Sequence, residues 1–436
     1  MLAAMPPTPP TTPNQGEPRI RDRGDACPGA LRLHAADDGR LARLRLPAGL
    51  LTAHQVEVLA AAAEGMGDGR VSVTSRGNVE LRGLGEGCGA ELGALLAEAG
   101  LLPSATHERV RNVVASPTAG LDGHGGLGAA DVQLWARELD ALLCGREWTA
   151  ALSGRFLFVL DDGRGDVAGL GGDVTLIAAG ASAAGEEGEE GDHDPGAFLR
   201  VGSQVFRVAA SDAPRAALAA AEAFLVAAHG AGNGAWRVRE LPEGHEPDLA
   251  GALARAGVAA EPVPTPELPH GEPPAPGVLG ESAVSVLAPL GRLTAEQLRA
   301  LAATGGEVRL TPWRGAVVTG FPDRAAAEER LAELAALGLI TDPRSPWVGV
   351  GACTGRPGCG KALADVRADA VPGRGGLPVH FSGCERRCGH PTGPHGTWVD
   401  VVATADGRYL VDGAPTPRTS LTEAVATART TARTTR

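Results

Sequence analysis

The strongest constraint on the fold is that the chain repeats itself. Residues 51–82, LTAHQVEVLAAAAEGMGDGRVSVTSRGNVELR, and residues 293–318, LTAEQLRALAATGGEVRLTPWRGAVV, carry the same signals in the same order. Each opens on a Thr-x-x-Gln capping box, Thr52 with Gln55 and Thr294 with Gln297, in which the Thr oxygen caps free helix amides and the Gln reaches back. An Ala/Leu-rich amphipathic helix follows, then two β-rich runs joined at an Arg-Gly turn, Arg76-Gly77 and Arg314-Gly315. The second helices end alike, in LLAEAGLL at 95–102 and ELAALGLI at 333–340, with Gly100 and Gly338 placed as C-terminal caps. Counted from the Arg-Gly turn or from those glycines, the copies lie 238 residues apart, which aligns Gly77 with Gly315. A strand precedes each first helix, in ALRLHAA and ARLRLPAG and again in SAVSVLAPL. Each copy therefore reads β-α-β-β-α, a ferredoxin-like half domain, and two such halves pair about a pseudo-twofold axis.

The rest of the chain sorts around this repeat into an α+β architecture. The expected order is a Pro-rich tail (1–22), half domain 1 (23–103), an α/β segment (104–258), a Pro-rich linker (259–278), half domain 2 (279–343), a second α/β segment (344–416) and a C-terminal tail (417–436). GEEGEEGDHDPG, near 185–196, reads as a solvated acidic insertion, and GHGGLG at 123–128 as a Gly-rich loop. A net charge of -12, with 40 Lys+Arg against 52 Asp+Glu, excludes a general nucleic-acid or acidic-membrane binder, so any anion site must be a local basic cluster. Of those basic residues only Lys361 is a lysine, so a single Arg carries little weight unless its motif does. The most apolar helical stretch, Ala216 to Gly230, is too short to span a bilayer, and the N-terminus lacks the basic and apolar regions of a secretory signal. With an odd number of cysteines, seven, these features lead to the expectation of a reducing, cytoplasmic setting and no membrane partner.

Four of the cysteines crowd one region with the spacing C-x5-C-x24-C-x3-C: Cys353, Cys359, Cys384 and Cys388. Two thiolate pairs are what a tetrahedral zinc or a 4Fe-4S cluster needs. The first gap is wider than a zinc knuckle requires and suits the larger cluster, with zinc and unliganded thiols as the alternatives. Gly355, Gly358, Gly360, Gly383 and Gly389 would let backbone amides approach the sulfurs. His380 and His390 flank the second pair, as hydrogen-bonded neighbours or as further iron ligands. Cys27, Cys88 and Cys144 are scattered and acquire no role.

Taken together, the duplicated half domains and the two cysteine pairs resemble the siroheme-dependent nitrite and sulfite reductase superfamily. Within it, RGDACPGALRLHAADDGRLARLRLPAG, TSRGNVELRG and SGCERRCGHP resemble the precorrin-3B synthase family of aerobic cobalamin biosynthesis, the His-Pro ending being the most discriminating. The resemblance implies a pseudo-twofold duplicated fold of two ferredoxin-like half domains and two cluster-fold α/β halves, with a 4Fe-4S cluster on Cys353, Cys359, Cys384 and Cys388. It also implies a cation-bearing first α/β half, in which Arg76 of TSRGN, Arg111 of RNVVASP and Arg155 of LSGRFLFVLDDG hold substrate carboxylates, a role suited to forked guanidinium groups. LSGRFLF is expected opposite LPVHFSGC of the second half, so that one copy supplies cations and the other thiolates to a shared cleft. The superfamily's next cation falls on Leu157, a departure that argues against reduction of a small anion and for a large tetrapyrrole. The implied reaction is an oxygen-dependent monooxygenation of precorrin-3A with γ-lactone formation, aided by an additional iron or siroheme; no catalytic residue is assigned. No GxGxxG joins a strand to a helix, so electrons are expected from an external donor, NADH through a reductase or ferredoxin. The alternatives are a siroheme sulfite or nitrite reductase, in which Cys388 bridges cluster and siroheme iron, and a non-catalytic electron-transfer or tetrapyrrole-carrier protein.

Overall fold

The computed structural model describes residues 28–123, 131–179, 196–302, 305–373, 375–391 and 396–430. The N-terminal tail, Cys27, most of GHGGLG and nearly all of the acidic insertion lie outside them.

Both capping boxes form. Thr52 and Gln55 exchange bonds of 3.0 and 3.3 Å, and Thr294 and Gln297 bonds of 2.9 and 3.1 Å. Each Gln also donates through Nε2 to the end of the second helix of its copy, Gln55 to the Ala99 carbonyl and Gln297 to the Leu337 carbonyl. The start of one helix is thereby tied to the end of the next in both halves. The helices themselves are Ala53–Met66 and Gly89–Glu98 in half 1, and Ala295–Ala302 and Arg324–Ala336 in half 2.

The two half domains are interlocked rather than merely paired. The first sheet runs His34–Ala36, Gly39–Leu44, Val79–Leu84, Arg70–Val73, and is closed at its edge by Arg292–Thr294 from the other half. The second runs Gly277–Leu279, Ala283–Leu287, Gly315–Thr319, Val308–Leu310, and is closed by Leu50–Leu51 from the first. The exchanged strands are sent across by matching turns, Pro47-Ala48-Gly49 and Pro289-Leu290-Gly291, whose middle residues are left-handed (φ 55° and 51°). One apolar core, from Leu44, Leu59 and Leu81 to Leu298, Leu310 and Leu334, runs through both halves.

The hairpins align differently from the expectation. In the first, Val73 pairs with Val79; in the second, Leu310 pairs with Ala316, an offset of 237 rather than 238. The Thr74 amide donates to the Asn78 carbonyl and the Thr311 amide to the Gly315 carbonyl, so the left-handed turn position is Gly77 in one copy and Arg314 in the other. Their φ angles are 67° and 63°. Aligning glycine with glycine assumed that glycine must occupy that position; here an arginine does, at a backbone cost of about 1–2 kcal/mol. Arg76 is accordingly the counterpart of Trp313.

The two α/β halves also share one plan. In the first, Val113–Ala115, Phe158–Asp161 and Val174–Ala178 are parallel, followed by antiparallel Gly196–Val201 and Gln204–Ala209. In the second, Val350–Ala352, Val379–Ser382 and Val399–Ala403 are parallel, followed by antiparallel Tyr409–Val411 and Ala414–Thr416. The linker is pinned at both ends, by Ala260–Pro262 on the first α/β sheet and Gly277–Leu279 on the second half-domain sheet. The expected C-terminal tail is corrected: Leu421–Thr430 is a helix. It buries Leu421 and Val425 in the core of the second α/β half. Arg429 fixes it by donating to the carbonyls of Leu377, Gly373 and Val348. Among the described residues, no helix is long and apolar enough to cross a membrane.

Candidate functional site

Two neighbouring parallel strands end at one edge of their sheet, and each delivers a cysteine pair there. Ala352 sits beside Phe381 in the ladder; Cys353 follows the first strand, and Gly383-Cys384 follows the second. The Cys353 amide donates to the Phe381 carbonyl (2.9 Å), and the Gly383 amide donates to Cys353 Sγ (3.1 Å). The Cys359 amide is held by the Gly355 carbonyl, and His380, buried at 1 % exposure, reaches the Cys388 carbonyl through Nε2 at 3.0 Å. Burial first, then Arg314, push the His380 imidazole down to about 3, so it is neutral and donates this bond. His390 lies flat on Trp398, 5.1 Å between centroids, with Nδ1 2.7 Å from the Pro391 carbonyl. Both histidines thus serve backbone carbonyls.

Burial, followed by Cys353, Cys384 and Cys359, pushes the Cys388 thiol up, which places the four sulfurs in one electrostatic neighbourhood. They are nevertheless spread. Among the described residues, the one trio of His, Cys, Asp or Glu ligand atoms mutually within 4.8 Å is Asp161, Asp162 and Asp166. A zinc tetrahedron with bonds of ~2.3 Å requires sulfurs about 3.8 Å apart. No three of the four sulfurs come as close together as a single zinc would hold them.

The loops are held from outside by charged side chains of the half domains. Arg82, 7 % exposed, pairs with both Asp38 oxygens at 2.9 Å and donates to the Gly358 carbonyl at 2.6 Å, while Asp37 accepts from the Gly360 amide. Arg314 donates to the carbonyls of Ala352 (3.3 Å) and Gly389 (2.5 Å). In the other direction Arg367, from the cysteine-bearing half itself, donates to the half-domain carbonyl of Leu290 at 3.2 Å, and burial, then Arg292 and Arg314, push it down to about 10. Neither Arg314 nor Arg367 has a carboxylate partner among the described residues.

The equivalent edge of the first α/β half has no thiols. The Ser116 amide donates to the Leu160 carbonyl as Cys353 does to Phe381, and the Asp162 amide donates to Ser116 Oγ (3.2 Å) as Gly383 does to Cys353 Sγ. Ser116 therefore stands for Cys353, and Asp162 for Gly383. This corrects the expected matching of LSGRFLF with LPVHFSGC: the strand of LPVHFSGC corresponds to FVLD, Phe158–Asp161, which follows Arg155. An acidic network fills the place. Asp161 accepts from the amides of Gly163, Gly165, Val167 and Ala168, Arg164 bridges Asp162 and Asp122, and Ser116 donates to Asp166 at 2.6 Å.

The three motif segments that carry Arg76, Arg111 and Arg155 are stitched together by asparagines that pattern reading passed over. Asn78 receives the Leu46 amide and donates to Asn112 (3.0 Å), which donates to the Phe156 carbonyl (2.9 Å). Their signal was adjacency, since Asn78 closes the Arg76 turn and Asn112 follows Arg111. The arginines themselves differ. Arg76 is half-buried at its turn; Arg155 is exposed and lies over the Trp236 ring at 5.1 Å. Arg111 is 5 % exposed, with Nε and Nη2 on Asp140 (2.6 and 2.7 Å) and Nη1 on the Leu101 carbonyl, so its fork points into the protein.

Comparison with known proteins agrees with this geometry. Residues 34–99 and 279–337 each match the nitrite/sulfite reductase ferredoxin-like half domain. The chain is 28 % identical over 403 residues to a precorrin-3B synthase from Sinorhizobium sp, spanning 88 % of this chain and 82 % of that protein. It is 27 % identical over 393 residues to a ferredoxin–nitrite reductase from Synechococcus elongatus, spanning 80 % and 74 % respectively. The solved structure of the Mycobacterium tuberculosis NirA protein superposes with a TM-score of 0.65 at 20 % identity, over 88 % of this chain and 79 % of that one. The chain thus carries two half domains of the nitrite/sulfite reductase ferredoxin-like family, and it shares its fold with the NirA protein along most of its length.

Proposed function

We propose that the chain is an oxygen-dependent monooxygenase of the precorrin-3B synthase type, acting in the cytoplasm on precorrin-3A, with a 4Fe-4S cluster on Cys353, Cys359, Cys384 and Cys388. The observation that carries the reading is at position 157. A reductase of the superfamily would place a cation there, whereas Leu157, 2 % exposed, belongs to an apolar cluster with Val114, Val159, Val167 and Trp313. Two residues earlier Arg155 remains exposed. This pattern lowers the positive field that a small anion would need and keeps a fork for a carboxylate at the rim. Similarity to a precorrin-3B synthase over most of the chain supports the same reading.

In this reading Arg155, steadied on Trp236, and Arg76 hold acetate or propionate groups of the macrocycle. Arg111 acts indirectly, fixing the segment that carries Asn112. His380 keeps the Cys388 backbone in place as a neutral donor. When bound, the cluster supplies one-electron transfer. One oxygen atom enters the product, the other leaves as water, and an external donor such as a reductase or ferredoxin supplies two electrons.

The test is turnover of precorrin-3A by anaerobically loaded protein after admission of 18O2 and a chemical reductant, followed by mass spectrometry. One 18O in a lactonised product is expected. Siroheme absorption bands, sulfite-dependent oxidation of reduced viologen and no labelled product would replace this reading with the reductase one.

A further inference from the structure

We propose that Arg314 is a positioning residue for the four-cysteine site, clamping one carbonyl beside each cysteine pair and setting, by its charge, the reduction potential of the cluster held there. The inference rests on the cluster reading of the cysteines. Arg314 occupies a left-handed position that glycine fills in the first copy, so its backbone is strained for the sake of its side chain. That side chain spans the site: Nη1 meets the carbonyl of Ala352, the residue before Cys353, and Nη2 that of Gly389, the residue after Cys388.

Three glycines make room along its length. A Cβ on Gly291 would lie 2.6 Å from Arg314 Cδ, one on Gly351 3.1 Å from Nη1, and one on Gly389 2.4 Å from Nη2. An arginine fitted this closely, with no carboxylate among its hydrogen-bond partners in the described residues and with Arg367 nearby, is a partly buried charge opposed through space by Cys353 and Glu80. Such a charge is stabilised further by an anion close to it. Four thiolates around a cluster supply that anion, and adding one electron to it makes the attraction stronger. Arg314 therefore favours the reduced state and raises the potential of the one-electron couple.

The test compares the full-length wild type with Arg314→Gly and Arg314→Lys, each loaded anaerobically, by iron and sulfide content and by EPR-monitored titration with dithionite. Glycine removes the charge while suiting the backbone, which guards against misfolding. Arg314→Gly is expected to keep its cluster with the reduced-to-oxidised ratio at least tenfold lower at fixed potential, 59 mV for one electron. Arg314→Lys is expected to stay closer to wild type. If Arg314→Gly sheds iron, retention by Arg314→Lys supports the proposal, and loss from both overturns it. An unchanged midpoint in Arg314→Gly also overturns it, with the cluster reading intact. A folded wild type that takes up no iron or sulfide would remove the cluster reading itself, and this inference with it.

Discussion

Replacing Asp166 by asparagine should change how stability depends on pH more than it changes stability itself. Asp166 is 8 % exposed, accepts one bond from Ser116 through Oδ1, and has no partner for Oδ2 among the described residues. Burial, opposed by Ser116 and reinforced by Asp161 and Asp162, pushes its carboxyl up to about 7 from 3.8. A carboxyl raised on folding contributes stability that is fully present below its unfolded value and is lost as pH rises towards the folded one. Three units at about 1.4 kcal/mol each give a ceiling of ~4 kcal/mol lost between pH 4 and 7, with no further change above. The asparagine side chain has no such titration and can still accept from Ser116. Urea unfolding at pH 5 and pH 8 measures the effect: the wild type should lose up to ~3 kcal/mol relative to Asp166→Asn across that interval. Parallel stability profiles for the two proteins would show that Asp166 is ionised in the fold and refute the reasoning.

Three further substitutions separate structure from substrate handling. Gly49→Ala would put a Cβ 2.0 Å from the Leu310 carbonyl at φ 69°, so it should destabilise the protein by well over 1 kcal/mol in thermal melts and loosen both exchanged strands. Arg111→Ala should cost about 3 kcal/mol in denaturant unfolding, because it strands Asp140 in a partly buried pair. Arg155→Ala should leave unfolding within ~0.5 kcal/mol of wild type and, on the proposed function, raise KM for precorrin-3A; an unchanged KM would remove it from the proposed substrate site.

What could be read in advance followed the strength of local signals. Thr52, Thr294 and their glutamines announce helices because a cap is a local event, and the spacing of Cys353, Cys359, Cys384 and Cys388 marks a candidate site because few other reasons place four thiols so closely. The exchanged strands were invisible: Leu50–Leu51 and Arg292–Thr294 are too short to show periodicity, and their partners lie in the other half. Only the matching Pro-Ala-Gly and Pro-Leu-Gly turns hinted at them. The hairpin register slipped by one because Arg314 accepts a conformation that statistics reserve for glycine. The pairing of Ser116 with Cys353 could not be seen either, since equivalence there is carried by main-chain bonds while the side chains share nothing. Arg111 sits in its expected motif, but the direction of its fork depends on Asp140, 29 residues away on the helix Val132–Cys144.

Strand exchange also sets a timetable for synthesis. The edge strand Arg70–Val73 leaves the ribosome about 220 residues before its partner Arg292–Thr294, which at ~5–20 residues per second is roughly 10–45 s of open, unpaired backbone. An exposed edge is a template for the wrong neighbour. The first half domain must therefore wait for the second before its sheet is complete, and either one cut out of the gene would leave a sheet edge open.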